Sequence, residues 1–484
     1  MDTHGCEVLL FCSDQHTASV SGFMGDPIVR TPNLDRLARE GVVFDNAYTS
    51  CPLCAPARAS LMTGRIPSKM EMFNNACDYR SSEITFAHLT ALAGYDSVLI
   101  GRMHFNGMDF HHGFTRRVGQ DITGSYWGYS AQIRPDLGDF ARGMNQKGCL
   151  ELIGSGDTPI REYDRKVVAD ALGYLSRDYE RPQMVVVGTY GPHFPYVADA
   201  ERMEHYRDAL RKAYREERAS FPVETLNRKI QYADAGDVIE LRAAYYALVE
   251  EMDEQLGQIY TAFQRYLERN RRRGIFVYLS DHGDQIGYKQ LYGKQTFFER
   301  SAKIPLVFAG CGLTPGRIHE SVSILDLAPT LCRLTGAPDF PDADGSSLLP
   351  LLQGVRQPDR YAVSEFYDVL DQQCCVGRMI HQNGKKLICY GETTEHDMLF
   401  DTDRDPDELE NLAGSSPELC HHLRELLMGS GVAPDRQQAM WACLDRHRLL
   451  TQLGKQHPEW NPFTYTASQA VRKADRACKR PKRS

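Results

Sequence analysis

Residues that can ligate a metal ion follow two short apolar runs of the sequence. Asp14 and Gln15 come one serine after the run EVLLFC, and Asp281 and His282 come one serine after GIFVYL. Carboxylate and amide oxygens, together with an imidazole nitrogen, suit calcium, magnesium or manganese. An Asp after a strand also often serves as a helix cap or turn residue. With two such pairs in the sequence, these residues are compatible either with a divalent-metal site or with that structural role.

A cysteine lies in the most distinctive string of the sequence. Residues 51–65 read CPLCAPARASLMTGR, in which Cys54 precedes Arg58 by four positions and a Thr-Gly-Arg triplet ends the string. A lone cysteine in front of a helix is most often a small buried hydrophobe. The complete string at this spacing, so soon after Asp14, argues against that simple role for Cys54.

The elements that must position these residues alternate between strands and helices. Besides the two apolar runs, the sequence predicts strands at 96–100, 183–187 and 304–309, and helices at 34–40 and 242–266. This alternation predicts a parallel sheet covered by helices on both faces. Ligands bind beyond the carboxyl ends of the strands in such sheets, and this is where Asp14 and Asp281 lie.

The pattern changes after Leu352. The sequence there predicts strands at 361–366 and 385–390 and a helix at 417–428. We therefore expect three parts: a catalytic α/β domain at 1–360, a smaller α+β subdomain at 361–450 and a C-terminal tail at 451–484.

The composition of the chain limits which binding partners and which cellular location are expected. The chain has 484 residues, 42% of them hydrophobic, which is enough for a large core, and its net charge of -8 gives no reason to expect nucleic acid. No run approaches the ~20 apolar residues that cross a bilayer, and the N-terminus lacks the basic start of a signal peptide. The 14 scattered cysteines form no dense framework. We expect a cytoplasmic protein, without a membrane partner, whose thiols are mostly reduced.

Two stretches are predicted to lie at the surface. Residues 199–237 are highly charged and helix-prone, which indicates a solvated insertion. The tail holds Trp460, Phe463 and Tyr465 close together, and aromatic residues are common interface anchors. This predicts a homo-oligomer, with packing on the same subunit as the alternative. The basic end from Arg472 is expected to be solvated or to meet an acidic neighbour.

The string at Cys54 resembles the signature C-x-P-x-R followed by T-G-R of the sulfatase family. In that family the cysteine is oxidised by a maturation enzyme to formylglycine, an aldehyde that hydrates to a gem-diol. The resemblance implies that one hydroxyl attacks the sulfur of a sulfate ester and the alcohol leaves. Loss of a proton from the second hydroxyl then releases sulfate. Cys54 is thus expected to be the precursor of the nucleophile.

The resemblance also implies a metal site. Asp14, Asp281 and His282 match the family's metal ligands, and Gln15 stands where many members have a second Asp. This replacement removes a charge and so bears on which metal is preferred. We expect one divalent ion, calcium first because oxygen ligands dominate, with manganese or magnesium as alternatives.

Five further residues match functional positions of the family. Arg58 is expected to support the hydrated aldehyde. In GRMH, which resembles the family's G-K-x-H, His104 is expected to assist the collapse, and Arg102 replaces a lysine and contributes to substrate binding. The change keeps the charge but swaps a point cation for a planar fork. His193 matches a substrate-binding or leaving-group histidine, and Lys294 matches the sulfate-binding lysine.

The implied fold is an alkaline phosphatase-like α/β sandwich. It has a large, mostly parallel central sheet, and its smaller C-terminal subdomain is built on an antiparallel sheet. The string LFDTDRDPDELENLA resembles the family's C-terminal motif. The resemblance therefore covers most of the chain.

Two branches of the superfamily compete. Phosphonate monoester hydrolases share the D-Q pair and the C-x-P-A-R signature. Choline sulfatases share G-K-M-H-F, a following H-G-F and the context of Asn75, which we expect to help bind substrate. The GRMHF string favours sulfate esters. Candidate walls of a quaternary ammonium cage are Trp127, Tyr129 and Trp460, and sugar sulfates remain an equal alternative. A third possibility, motivated by the two replacements noted above, is a homologue that binds sulfate without turnover.

Overall fold

The computed structural model describes residues 5–123, 137–144, 148–215, 235–370, 373–391, 393–432, 436–457 and 466–474. The strands are β1 (Glu7–Asp14), β2 (Gly41–Tyr48), β3 (Asp96–Gly101), β4 (Arg116–Val118), β5 (Ile153–Ser155), β6 (Gln183–Pro192), β7 (Tyr196–Ala198), β8 (Gly274–Ser280), β9 (Leu306–Gly310), β10 (Gly316–Ser323), β11 (Ala362–Leu370), β12 (Gln373–Gln382), β13 (Lys385–Tyr390) and β14 (Met398–Asp401). The helices are α1 (Pro32–Glu40), α2 (Cys54–Thr63), α3 (Phe86–Leu92), α4 (Phe140–Gly143), α5 (Pro159–Leu175), α6 (Ala200–Ala213), α7 (Ala235–Asn270), α8 (Glu299–Ala302), α9 (Leu327–Thr335), α10 (Leu349–Leu352), α11 (Pro417–Gly429) and α12 (Gln437–Gln456).

The large sheet has the strand order β10-β2-β9-β8-β1-β6-β3-β4. Strand β1 lies between β6 and β8 and is parallel to both. Its residues are buried on both sides, and alternate side chains enter two different cores. Leu9 and Phe11 pack with α1, α5 and α7, whereas Val8, Leu10 and Cys12 pack with α2, α3 and α9. The predicted sheet covered by helices on both faces is confirmed.

Strand β9 is antiparallel to both β8 and β2, a departure from the predicted parallel order. The 25 residues between β8 and β9 are numerous enough for a crossover. Instead they hold the short helix α8 and contact the end of β1, as Lys294 does through Gln15. The chain therefore stays at the carboxyl edge of β8 and runs back from there. This keeps residues 281–303 beside the end of β1.

A separate antiparallel sheet follows, with the order β11-β12-β13-β14, as the resemblance implies. Helix α11 packs against it through Leu423 and Leu427. Helix α12 runs through position 450, so we now propose that the tail begins after Gln456. The domain boundary near 360 stays a prediction.

The structure corrects one of the two surface predictions and describes a short part of the stretch that the other concerns. Within 199–237, helix α6 is not a solvated insertion, because Met203, Tyr206 and Leu210 are buried in the large core. In the tail, Ala467 and Val471 are buried in the same core, and the Arg472 carbonyl accepts from the Asp139 amide (2.9 Å). Trp460, Phe463 and Tyr465 lie outside the described residues.

Among the described residues, no helix is both long and apolar enough to cross a membrane. The long helix α7 shows why, since charged residues occur throughout its length.

Candidate active site

Cys54 is the first residue of helix α2, whose N-terminus faces the carboxyl ends of β1 and β8. The amide of the next residue, Ala55, donates to Asn75 Oδ1 (2.9 Å), so a side chain satisfies one of the free N–H groups at the start of the helix. A helix N-terminus favours negative charge. Cys54 therefore lies where an anion is stabilised, and Asn75 supports this end of the helix.

Arg58 lies one helical turn after Cys54 and is completely buried. Its Nε donates to Asp281 Oδ2 (2.8 Å) and its Nη2 to Asp14 Oδ2 (3.0 Å). A buried guanidinium is tolerated only when carboxylates and further acceptors satisfy it. The four-residue spacing of the CAPAR string thus joins the nucleophile helix to the ends of both β1 and β8.

Four side chains form a group whose donor atoms can hold a metal ion. One donor atom from each of Asp14, Cys54, Asp281 and His282 lies within 4.8 Å of the others, and all four residues are buried. Carboxylate oxygens with one imidazole fit a hard divalent cation. The donor set therefore agrees with the metal expected from the resemblance.

The ring of His282 is oriented for ligation. Its Nδ1 lies 3.0 Å from the carbonyl oxygen of Gly283, so Nδ1 carries the proton and Nε2 is left with its lone pair. Nε2 lies 3.2 Å from Cys54 Sγ. A backbone carbonyl that fixes the tautomer in this way is the usual support of a metal-ligating histidine.

Gln15 is held at both ends of its amide. Nε2 donates to Asp284 Oδ2 (2.5 Å), and Oε1 accepts from Lys294 Nζ (2.7 Å). Tyr196 Oη also donates to Asp284 Oδ2 (2.8 Å). Because Asp284 accepts from the amide nitrogen, the amide oxygen lies on the side of Lys294, whose Nζ also contacts Cys54. The replacement of an acidic ligand by Gln15 is therefore accompanied by a buried carboxylate directly behind it.

Lys294 is the cation nearest the nucleophile. Its Nζ lies 2.9 Å from Cys54 Sγ and 2.7 Å from His193 Nε2. His193 Nδ1 lies 2.7 Å from the Phe194 carbonyl oxygen, so this nitrogen donates and Nε2 accepts from Lys294. Burial and the adjacent Lys294 charge lower the pKa of His193 to about 4. His193 is therefore a neutral ring that orients the ammonium group.

Arg102 connects the metal group to His104. Its guanidinium donates to Asp14 Oδ2 through Nη1 and to His104 Nδ1 through Nη2 (2.7 Å). A proton on His104 must then reside on Nε2, because Nδ1 is an acceptor here. His104 thus presents an N–H, whereas assistance to the collapse requires a lone pair. To accept a proton during the collapse, His104 has to move its own proton from Nε2 to Nδ1, which requires release of the Arg102 contact.

Backbone geometry at these loops is specialised. Gln15 and His104 have φ angles of 64° and 55°, in the left-handed region that non-glycine residues seldom adopt. Strand β6 comes close to the His104 loop at Gly188, where an added Cβ would lie 1.7 Å from the Arg102 carbonyl oxygen. Only glycine at position 188 permits this approach.

Charge around Cys54 favours its ionised form. Burial disfavours the thiolate, but the neighbouring positive charge, that of Lys294 first, holds the pKa of Cys54 well below the usual range. The site is thus built to stabilise an anion at this position. A developing oxyanion on a modified side chain is stabilised by the same groups.

The structure brings together almost all residues that the sequence analysis singled out. Those whose side chains meet around Cys54 are Asp14, Gln15, Arg58, Arg102, His104, His193, Asp281, His282 and Lys294. The side chain of Asn75 contacts the backbone of the nucleophile helix instead. Trp127 and Tyr129, the candidate cage walls, lie outside the described residues, as does Trp460.

Two carboxylates that support the site, Asp284 and Asp121, were not among the predicted site residues. Asp284 is visible in the string SDHGD, two residues after His282, but its role depends on contact with Gln15, which is distant in sequence. Asp121 accepts from the amides of Met103 and His104 (2.9 and 2.6 Å) and so fixes the His104 loop. No spacing pattern marks Asp121.

A mostly parallel sheet whose carboxyl edge carries a buried cysteine, an acidic metal-type group and three cations agrees with the alkaline phosphatase-like hydrolase that the resemblance implies. Residues 7–337 match the family model described as sulfatase, and residues 287–429 match that of the C-terminal region of N-sulphoglucosamine sulphohydrolase. The chain belongs to the sulfatase family and is a sulfuric ester hydrolase.

Similar proteins span the branches considered above. The chain is 33% identical over 439 residues to choline-sulfatase of Rhizobium meliloti, covering 85% of this chain and 83% of that protein. Its fold is similar to the crystal structure of phosphonate monoester hydrolase of Agrobacterium radiobacter, with a TM-score of 0.67, 22% identity and coverage of 88% and 95% of the two chains. A protein in complex with its substrate D-glucosamine-2-N,6-O-disulfate has the same TM-score, at 19% identity and coverage of 94% and 99%.

Proposed function

We propose that this enzyme hydrolyses a sulfate monoester at Cys54 after oxidation of that residue to formylglycine by a maturation enzyme. The observation that carries the proposal is the position of Cys54 Sγ, 2.9 Å from Lys294 Nζ, 3.2 Å from His282 Nε2 and at the N-terminus of α2. The hydrated aldehyde supplies an oxygen nucleophile and a second hydroxyl through which sulfate is released.

Asp14, Gln15, Asp281 and His282 are the residues that would hold one divalent metal ion. Calcium is the expected ion, with manganese or magnesium as alternatives, because the donors are mostly oxygen atoms. When bound, the ion polarises the sulfate and favours ionisation of the attacking hydroxyl. Asp284 holds the amide nitrogen of Gln15, and the amide oxygen lies beside Lys294.

The cations divide the remaining work. Lys294 Nζ lies between Cys54 and His193, where it binds a sulfate oxygen and neutralises charge that builds up as the ester bond breaks. Arg58 holds the two carboxylates of β1 and β8 in place behind the nucleophile. Arg102 fixes the ring of His104, which donates from Nε2 until the Arg102 contact is released.

The alcohol part of the substrate is either choline or a sugar. Similarity to a choline-sulfatase over most of the chain supports choline sulfate. The fold shared with a protein that acts on a glucosamine disulfate keeps carbohydrate sulfates as the alternative. We further propose that the enzyme is cytoplasmic and forms a homo-oligomer.

The reaction class is tested with an aryl sulfate and an aryl phosphonate monoester of the same leaving group. Protein made together with a maturation enzyme is expected to have the higher kcat/KM on the sulfate. Cys54→Ala should lower turnover by a factor on the order of 10⁴ or more, as removal of a catalytic nucleophile does elsewhere. Peptide mass spectrometry of the active sample should find formylglycine at position 54.

Two results would contradict the proposal. Full activity with an unmodified Cys54 thiol would remove the mechanism. A large preference for the phosphonate ester would assign the enzyme to the branch represented by the Agrobacterium structure. Cys51→Ala is the matched control, because Cys51 is a buried cysteine three residues earlier whose burial raises its pKa well above the usual range.

A further inference from the structure

Two cysteines far apart in the sequence meet outside the active site. Cys77 lies in the loop after α2, and Cys443 lies on α12, 366 positions later, yet their Sγ atoms are 2.9 Å apart. Both residues are buried. A disulfide requires about 2.0 Å between the sulfurs, so closing the bond needs a displacement of about 0.9 Å.

The loop around Cys77 contacts two parts of the active site. Asn75 accepts from the Ala55 amide at the start of the nucleophile helix (2.9 Å). Asn106, two residues after His104, donates from Nδ2 to the carbonyl oxygens of Asn75 (2.9 Å) and Cys77 (3.1 Å). The position of Cys77 is therefore tied to both Cys54 and the His104 loop.

Helix α12, in contrast, is weakly held. Of its 20 residues only Met440, Cys443 and Gly454 are buried. Among the described residues, Arg446 of α12 pairs with Glu71 in the segment before Cys77 (3.0 Å). This ion pair is largely exposed, and exposed pairs contribute little stability. A covalent bond at Cys443 would therefore change the attachment of α12 more than any of its existing contacts.

A small molecule can reach Cys443. The residue lines a cavity of about 210 Å³ together with Asp78, Arg80 and His447. Hydrogen bonding with Cys77 lowers the pKa of Cys443 and raises that of Cys77. Because Cys443 lines the cavity and Cys77 does not, Cys443 is the thiol that a small disulfide meets first, and Cys77 lies where a resolving thiol is needed.

We propose that Cys77 and Cys443 form a reversible disulfide by exchange with a low-molecular-weight disulfide, which fixes α12 to the loop that supports the nucleophile helix. The Cys443 thiolate attacks the small disulfide, forms a mixed disulfide and expels one thiolate. Cys77 then loses its proton and attacks the Cys443 sulfur, and the second small thiol leaves. Two protein thiols and one small disulfide become one protein disulfide and two small thiols, so atoms and electrons balance.

The test equilibrates the full-length protein with mixtures of glutathione and glutathione disulfide. After trapping of free thiols, peptide mapping is expected to find a linked pair of peptides containing Cys77 and Cys443, and dithiothreitol should separate them. Hydrogen exchange across 437–456 should slow in the oxidised form, because opening of α12 then has to act against a covalent bond. Neither measurement depends on activity or on the state of Cys54.

Matched variants identify the site. Cys443→Ser should abolish the cross-link, whereas Cys420→Ser on α11, a cysteine partly exposed outside this pair, should leave it unchanged. The proposal is overturned if Cys77 and Cys443 of the unmutated protein remain reduced, or carry separate glutathione adducts, under conditions that modify Cys311 and Cys420. It is equally overturned if the cross-link forms only in denaturant.

Discussion

Two buried clusters of charge, one around Cys54 and one around Glu299, differ in what their charges face. In the first, Lys294 Nζ, His282 Nε2 and Asp14 Oδ1 lie 2.9, 3.2 and 3.8 Å from Cys54 Sγ. Asp281 belongs to the same group of possible metal ligands. In the second, Lys386 of β13 is paired with Glu299 Oε1 (2.8 Å) and with Glu408, and Lys303 reaches Glu299 as well (3.2 Å).

The difference separates a ligand site from a structural joint. In the second cluster the charges face one another: burial raises the pKa of Glu299, but Lys386 and then Lys303 hold it below its usual range. Glu299 begins α8 in the large domain, and Lys386 belongs to the small sheet, so the cluster joins α8 to the small sheet. Burial and charge are common to both clusters, and only the convergence on one atom marks the active site.

The largest expected effect comes from Asp281→Ala in the convergent cluster. The proposed metal site loses a ligand and Arg58 loses a carboxylate, so activity should fall to background. The rise in melting temperature that millimolar calcium causes should also disappear, because a ligand stabilises only the state that binds it. Differential scanning fluorimetry with and without calcium measures this.

Asp253→Ala is the control for that experiment. Asp253 is a buried carboxylate that accepts from the amides of Asn33 and Leu34 on α1. Its loss should lower the melting temperature but keep the calcium-induced rise. An Asp281→Ala protein that still responds to calcium would contradict the metal assignment.

A substitution in the cluster around Glu299 should have the opposite effect, lowering stability without removing the response to calcium. Lys386→Met leaves Glu299 and Glu408 buried without their common partner, and breaking such a pair costs about 3–5 kcal/mol. Urea titration should show this loss in the free energy of unfolding, while the calcium-induced rise in melting temperature persists. Lys385→Met, at the more exposed neighbour that pairs with Asp401, should cost much less. Equal losses in the two variants would show that the cluster is not a joint.

The smallest effect concerns pH. Burial raises the pKa of Glu365 on β11 to about 7, although Ser68 and Arg378 act against it. Since the folded state holds this proton more tightly than the unfolded state does, its contribution to stability is complete below the unfolded pKa. The contribution is lost as pH rises through about 7.

Glu365→Gln should therefore flatten the fall in the free energy of unfolding between pH 5 and pH 8 by about 1–3 kcal/mol. Chemical denaturation at several pH values measures the slope. Glu418→Gln, at the first turn of α11 where no burial is seen, should leave the slope unchanged. An identical slope in Glu365→Gln and in the unmutated protein would show that the Glu365 carboxyl is not the source of this pH dependence.

The sequence was sufficient for the parts of the molecule that depend on local pattern. Apolar runs located β1, β3, β6 and β8, and polar residues at the ends of β1 and β8 located one edge of the site. The direction of β9 was not accessible, because it depends on where the chain between 281 and 305 goes. The burial of α6 was also missed, since its charged residues conceal three apolar ones spaced to face the core.

The candidate site shows the same limit. Signature strings identified the residues that contact Cys54, because their types and order are characteristic of the family. Asp284 and Asp121 act on other side chains or on backbone amides, and contacts of this kind leave no fixed spacing in a sequence. The pair Cys77 and Cys443 is hidden for the same reason, among cysteines that show no framework.

The docking of Ala467 and Val471 in the large core has a consequence for how the protein is made. That core also contains Leu9 and Phe11 of the first strand. A ribosome has to synthesise almost the entire chain before these two ends can meet. The core on this face of the large sheet is therefore complete only after position 471 has left the ribosome, so its final packing is a late step of folding.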